Sequence, residues 1–460
     1  MKFPVMLSLG AALSAAAMLS ASAAQAAAPV QANPPAQPAQ SVPQTVLIGL
    51  AAPLTGPSAR IGKDLQNGAQ LALDDANSRH PTVGGRPVVY KLVAVDDQSD
   101  PRTAVTVAQQ LVERRVIGVV GHWNTGCSVP ASRIYRDAGI AQIAPASTGR
   151  QYTRQGYPTA FRIVGHDDAS GAYAGAYVVK TLRAKRIAVI DDRTAFGAGL
   201  ADQFAKGVEA SGGAIVDRQY VNDKTTDFSA VLTAVKAKRA DVVFFGGLDA
   251  QAAPLARRMR QLKLSATLVG AGGFVTQTFL SLAGPDGDGV TALEPGLPLA
   301  RMPGGAAFDA RYRARYHAPI ELHAPFAYDA AATLIAAAER ANSTDAARLP
   351  AVLHVLRRQG VTGAIAFDAE GNLRDPAFTI YRAGGGKWTA VDVLGGAGAA
   401  AGSAGMASKT ASLPNASVVS ATSTASAVSA SSTASTVSTA STASTASTAS
   451  TASTASTASK

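Results

Sequence analysis

One cysteine, Cys127, is all the thiol chemistry in this chain of 460 residues. No internal disulfide can therefore form, even in an oxidising compartment. No cysteine stands beside the small-x-small cleavage pattern Ala24-Gln25-Ala26, which excludes a lipid-anchored mature N-terminus. His122 is near Cys127 in sequence, but such a pair is a weak sign of a nucleophile, and a buried small apolar side chain is expected. The six histidines are scattered, and none is spaced with carboxylates or the cysteine as metal ligands are, so no metal or cofactor is expected. Basic residues never run beyond two in succession and rarely alternate with aromatics. The formal charge of +11 thus reads as solvated helix faces and argues against nucleic acid as a partner. The pairs Asp96-Asp97, Asp167-Asp168 and Asp191-Asp192 each end a strand before a helix, where capping is the expected job. The glycine-rich stretch 396–401 matches a loose dinucleotide fingerprint but follows no strand–helix unit. No catalytic constellation emerges, and an enzyme is not expected.

What is present divides by composition. Residues 1–26 read as a secretory signal peptide, with Lys2 ahead of an apolar, Ala-rich run and the cleavage pattern at its end. Residues 27–44 form a Pro/Gln/Ala-rich linker with nothing to bury. Residues 394–460 are a Gly/Ala/Ser/Thr tail closing on seven Thr-Ala-Ser triplets, a composition expected to be disordered. Between them, apolar runs at 46–50, 88–95, 117–120, 140–144, 187–190, 241–245 and 266–269 alternate with helical patterns at 63–77, 102–115, 130–137, 199–210, 228–238 and 252–262. Such alternation predicts an α/β fold with parallel sheets and right-handed crossovers. The apolar strands do not alternate with polar residues, which fits sheets covered on both faces. Helices are expected at 308–316, 325–341 and 347–358, then paired strands at 363–367 and 377–382. The alternation restarts after residue 164, so the core reads as two lobes with a cleft between their strand ends.

The segment VVGHWNTGCSVPAS (119–132) is the clearest candidate site. An apolar strand stops at a turn carrying Asn124, Thr125 and Ser128, and Pro130 marks the expected start of a helix. A strand end facing a helix N-terminus offers unpaired N–H groups and a positive dipole end, a seat for a carboxylate. The pattern recurs in IAQIAPAST (140–148), which ends in Ala146, Ser147 and Thr148. Adjacent in a parallel sheet, the two strand ends would frame the mouth of a small-molecule site.

The chain resembles the periplasmic solute-binding proteins of branched-chain amino acid (Leu/Ile/Val-type) ABC importers, a type I periplasmic binding protein fold. The resemblance rests on IGLAAPLTGPSARIGKDLQNGAQLALDDAN, VDDQSDPRTAVTVAQQLV, VVGHWNTGCSVPAS, IAPAST with QGYPTAFRIVGHDD, RIAVIDDRTAFGAGLA, DFSAVLTAVKAKRADVVFFGG and GVTGAIAFDAEGN, in the expected order. It implies two Rossmann-like lobes joined by a three-strand hinge near 165–166, 293–294 and 367–368. Lobe one would comprise 45–165 and 294–367; lobe two would comprise 166–293 and 368–393. It further implies that lobe one holds a ligand carboxylate through Thr125, Thr148 and the backbone of Trp123 and Ala146. In lobe two the resemblance weakens. The acidic residue that pairs with a ligand ammonium is replaced by Gly272, Phe196 lacks a phenol hydroxyl, and Leu248 replaces an aromatic. Ile61 stands where a Tyr is common, and Trp123 is bulkier than the usual Leu. Asp249 is a candidate for the missing negative charge, with helix capping as its alternative. The expected role is a periplasmic, monomeric binding subunit that takes up branched-chain or related amino acids by hinge closure and docks on a membrane permease of an ABC importer. The alternatives are a non-amino aromatic or branched carboxylate as ligand, or a periplasmic ligand sensor.

Overall fold

The computed structural model describes residues 42–396. The expected signal peptide, most of the linker and most of the tail lie outside the described residues. The chain opens with β1 (Gln44–Ala52), α1 (Ala59–Ser78), the short β2 (Thr82–Val83), β3 (Arg86–Asp96) and α2 (Pro101–Glu113). It continues through β4 (Gly118–Gly121), α3 (Thr125–Asp137), β5 (Ala141–Ala144) and β6 (Ala160–Arg162). These strands form a six-stranded sheet in the order β2-β3-β1-β4-β5-β6, parallel except for β2. A second run follows: α4 (Asp167–Ala176), β7 (Ile187–Asp191), α5 (Ala195–Ala210), β8 (Ile215–Tyr220), α6 (Ser229–Ala237), β9 (Val242–Gly246), α7 (Asp249–Gln261), β10 (Thr267–Ala271), α8 (Gln277–Ala283) and β11 (Thr291–Pro295). The chain then returns to the first lobe with α9 (Gly305–Tyr316), α10 (Ala324–Ala341), α11 (Leu349–Val355), β12 (Arg357–Gln359) and β13 (Ala364–Ala366), and finishes in the second with β14 (Ala377–Gly384) and β15 (Lys387–Gly395). The second sheet has the order β15-β14-β11-β10-β9-β7-β8.

The unbroken apolar runs become strands covered on both faces: β4, β5, β7 and β9 are buried at every position. In the first lobe, one face of the sheet packs on α1 and α10 through Leu65, Ala69, Leu73, Leu334 and Ala338. The other face packs on α2 and α3 through Val107, Leu111 and Tyr135. In the second lobe, Phe204 of α5 stacks on Phe244 of β9, while Leu232, Leu255 and Phe279 close the opposite face. Strand order reverses between β1 and β4 in one sheet and between β7 and β9 in the other. Ligands settle in the crevice at such switch points in open α/β sheets. The helices that start there are α1 and α3 in the first lobe, and α5 and α7 in the second.

Several expectations need correction. α3 begins at Thr125, and Pro130 lies inside it; α1, α5 and α7 likewise start about a turn before the expected positions. Their first turns carry at most one large apolar residue, Ile61 in α1 and Phe196 in α5, so the apolar period becomes visible only one turn later. The segments 363–367 and 377–382 do not pair with each other. β13 pairs with β12, where a helix running to 358 was expected. β14 instead lies antiparallel between β11 and β15. The edge strands β8 and β15 are half-buried or exposed and so lack the apolar run that marks the others.

The second and third crossings also sit later than the expected divisions. β11 keeps Glu294 and Pro295 in the second sheet, opposite Thr379 and Phe378. Residues 368–374 stay on the first lobe, where Arg162 N–H donates to Gly371 O at 2.9 Å and the Phe367–Leu373 bridge closes the turn. The folded part runs on through Leu394, which packs against the second lobe's core. The carboxylate pairs serve turns and helix starts. Asp96 accepts from Leu54 and Gln98 N–H, Asp192 from Thr194 N–H, and Asp167 stands in the first turn of α4. Cys127 is fully buried, and burial pushes its thiol above the usual range.

Candidate ligand-binding cleft

The first wall of the cleft is the β4–α3 turn. Asn124 is the residue before α3, in extended conformation, and its carbonyl accepts the N–H groups of Cys127 and Ser128. That leaves the N–H groups of Thr125 and Gly126 in the first turn with no helical acceptor. Thr125 Oγ1 accepts from Gly149 N–H at 3.1 Å, so its own proton is free to be donated. Beside it, the β5 strand end delivers Ala146 and Thr148. Among the described residues, the buried Thr148 hydroxyl and Asn124 Oδ1 have no hydrogen-bond partner. An orphaned buried polar group of this kind costs about 1–3 kcal/mol unless something supplies its partner. Burial raises the Asp167 pKa to about 7 against the pull of the neighbouring Thr148 hydroxyl, yet neither Thr148 Oγ1 nor Asp167 Oδ2 forms a hydrogen bond among the described residues.

A fixed frame stands behind that wall. Arg162 is fully buried and donates to Ser147 O at 2.9 Å and Gly149 O at 3.0 Å, the carbonyls on either side of Thr148. It also donates to Thr153 Oγ1 at 2.9 Å and Asn372 Oδ1 at 2.8 Å. Burial lowers its pKa to about 10, so it remains a cation at neutral pH. Ser147 turns away from the cleft: its hydroxyl bonds the Ser128 hydroxyl and donates to His122 O and Trp123 O, both at 3.0 Å.

Trp123, Asn124, Thr125, Ala146, Thr148 and His323 from the first lobe face Phe196, Leu248, Gly272, Gly273, Glu294 and Pro295 from the second, with Val164 of the crossing between them. They enclose about 420 Å³ of atom-free space, part of it open to solvent. Phe196 lies in the first turn of α5 and Leu248 immediately precedes α7, the two switch-point helices of the second sheet. The lobes touch across the cleft: Leu248 packs against the first lobe's core, and Gln151 Nε2 donates to Ala195 O at 3.0 Å.

Gly272 has φ +66°, and a Cβ built there would lie 3.2 Å from the Phe196 ring. A side chain at this position is opposed by both backbone and neighbour. Asp249 does not line the cavity. Its carboxylate accepts from the Thr276 hydroxyl at 2.6 Å and from Ala250 N–H at 2.8 Å, which makes it a brace between α7 and the turn before α8. Ile61, too, is buried in the first lobe's core and does not line the space.

Sequence reasoning missed Val164, Gly273, Glu294, Pro295 and His323. Glu294 Oε1 accepts the N–H groups of Gly273, Phe274 and Val275 at 2.7, 2.9 and 3.3 Å. Burial raises its pKa to about 7 against the pull of those donors. His323 caps α10 and stands edge-on to Trp123, with ring centroids 6.3 Å apart. Its position is set by Asp64, whose Oδ2 accepts from His323 and Ala324 N–H, both at 2.8 Å. Burial drops the His323 pKa to about 3, leaving a neutral ring whose buried Nδ1 has no partner among the described residues. The one signal in sequence was that Glu294 ends an apolar strand at an expected crossing; nothing marked His323.

Two doubly wound lobes closing on a cavity between their strand ends define a two-lobed ligand clamp. The family model described as periplasmic binding protein matches residues 45–387, and the chain belongs to that family. It is 35% identical over 338 residues to an amino acid binding protein of Pseudomonas aeruginosa, covering 73% of this chain and 89% of that one. A Leu/Ile/Val-binding protein homolog of Brucella suis is 33% identical over 341 residues, covering 73% and 90%. Among solved structures, the branched-chain amino acid transporter substrate-binding protein LivJ from Streptococcus pneumoniae, in complex with isoleucine, superposes with a TM-score of 0.69 at 26% identity. That match covers 76% of this chain and all of LivJ.

Proposed function

We propose that the protein captures branched-chain or closely related amino acids outside the cytoplasm and presents them to the membrane permease of an ABC importer. The observation that carries this reading is the pairing of a carboxylate seat with an apolar cover. The free N–H groups at the start of α3 and the unpartnered Thr148 hydroxyl lie on one wall, opposite Phe196, Leu248 and Pro295. The names of the Pseudomonas and Brucella relatives support the ligand class. In this reading the ligand docks on the first lobe, and the second swings about the three crossings to hide it from water. The ligand shifts that equilibrium only by its preference for the closed arrangement. The protein acts as a monomer, without cofactor, metal or nucleic acid, and catalyses no reaction. Residues 1–26 direct its export and are removed.

Calorimetric titration with leucine, isoleucine and valine is expected to show binding at about micromolar or tighter, roughly −8 kcal/mol. Binding of benzoate or a short dicarboxylate, with no response to the three amino acids, would overturn the proposal. Thr148→Ala is expected to weaken leucine binding by about 1–3 kcal/mol, because a buried carboxylate oxygen loses its donor. Unchanged affinity in that variant would remove Thr148 from the site.

A further inference from the structure

The ammonium of an amino acid needs a negative partner, and Gly272 cannot carry one. We infer that Glu294, at the end of β11, is the group that receives the ligand's ammonium, pairing through the carboxylate oxygen its backbone donors leave free. This inference rests on the amino acid reading of the cleft and assigns the residue that sets its preference for zwitterions.

Glu294 is the one acidic side chain that lines the cavity. It is 3% exposed. Oε1 takes all three backbone donors; among the described residues no hydrogen bond reaches Oε2, and no Lys, Arg or His forms an ion pair with the carboxylate. A buried carboxylate without a countercharge is costly, and a cation brought by the ligand relieves that cost. The location fits as well. Glu294 belongs to the second lobe's sheet, whereas the α3 N-terminus and Thr148 belong to the first lobe. A ligand with opposite charges on one carbon can therefore engage both walls at once. Asp249 was the other candidate, but its carboxylate is tied to Thr276 and Ala250.

The groups that face Glu294 do not replace this role. Burial and the nearby Asp249 raise the proton affinity of Glu294, Tyr381 on β14 is a neutral phenol pushed up to about 12, and His323 across the cavity is neutral. With its pKa raised to about 7 by burial, Glu294 in the empty site carries a proton part of the time at neutral pH. Pairing with an ammonium requires the ionised form, so binding must release protons.

The test compares leucine with 2-hydroxy-4-methylpentanoate, which carries a hydroxyl in place of the ammonium. In the unchanged protein at pH 7, calorimetry in buffers of different ionisation enthalpy is expected to show more proton release per leucine bound than per hydroxy acid bound. Glu294→Gln keeps a carbonyl oxygen for the three N–H groups. It is expected to lose about 100-fold in leucine affinity while binding the hydroxy acid as well as before. Leucine affinity within about threefold of the unchanged protein, or equal proton release for both ligands, would overturn the assignment. If the unchanged protein binds the hydroxy acid and no amino acid at all, the amino acid reading itself fails. The proton-release measurement stands even if the variant does not fold.

Discussion

Arg162→Met is expected to lower the stability of the protein by about 2–4 kcal/mol and its leucine affinity by roughly tenfold. Methionine fills similar space and removes the cost of an interior cation. It supplies no donor, however, to the carbonyls of Ser147 and Gly149, the Thr153 hydroxyl or Asn372 Oδ1, all of which Arg162 satisfies. Two of these acceptors flank Thr148, so the wall that seats the ligand's carboxylate loosens together with the fold. Asn372 lies beyond the small β12–β13 ribbon, so the same guanidinium ties the first lobe to the segment that leads into the third crossing. Urea denaturation and calorimetry read the two effects separately. A stability loss under about 1 kcal/mol, or full affinity in a destabilised variant, would show that the turn holds without this guanidinium.

Asp64→Ala is expected to cost about 3–5 kcal/mol. Asp64 is 1% exposed in α1, and its two oxygens accept the N–H groups of Glu321, Leu322, His323 and Ala324. The Tyr312 hydroxyl donates to it as well, at 2.9 Å. Burial raises its proton affinity while these donors oppose the rise. Without the carboxylate, the turn leading into α10 is left with unpaired N–H groups at Glu321, Leu322, His323 and Ala324, and the position of His323 in the cleft is no longer fixed. Asp64→Asn keeps one acceptor oxygen and should recover part of the loss in the same urea experiment. Equal stability of Asp64→Ala and the unchanged protein would show that the turn is held by packing alone.

What was legible in the sequence followed from local rules. The β4 and β5 ends could be found because each apolar run stops abruptly at hydroxyl residues, and Thr125 and Thr148 line the cavity. Phe196 and Leu248 came only from the family resemblance; Phe196 lies in the first turn of α5 and Leu248 just ahead of α7. Ser147 sits between two cavity residues but turns inward to Ser128, an orientation that composition does not encode. Glu294 was marked only as the end of an apolar strand, and its place in the cleft has a longer-range reason. It enters the cleft because β14, more than eighty positions away, pairs with β11 and extends that strand by two residues beyond the expected crossing. Local periodicity carries no record of such pairings. The misassigned partner of 363–367 has a local cause: β12 is three exposed or half-buried residues, and the overlooked edge strands β8 and β15 likewise lack an apolar run. Asp249 misled because a carboxylate just past a strand end looks the same whether it faces a ligand or a neighbouring threonine.

The most direct test of the clamp is a crystal structure grown with leucine. The account predicts the ligand's carboxylate within about 3.2 Å of Thr125 N and Thr148 Oγ1, its side chain against Phe196 and Leu248, and its ammonium turned to the second lobe. Leucine bound outside this cavity, or inside it with the carboxylate pointing away from the start of α3, would contradict it.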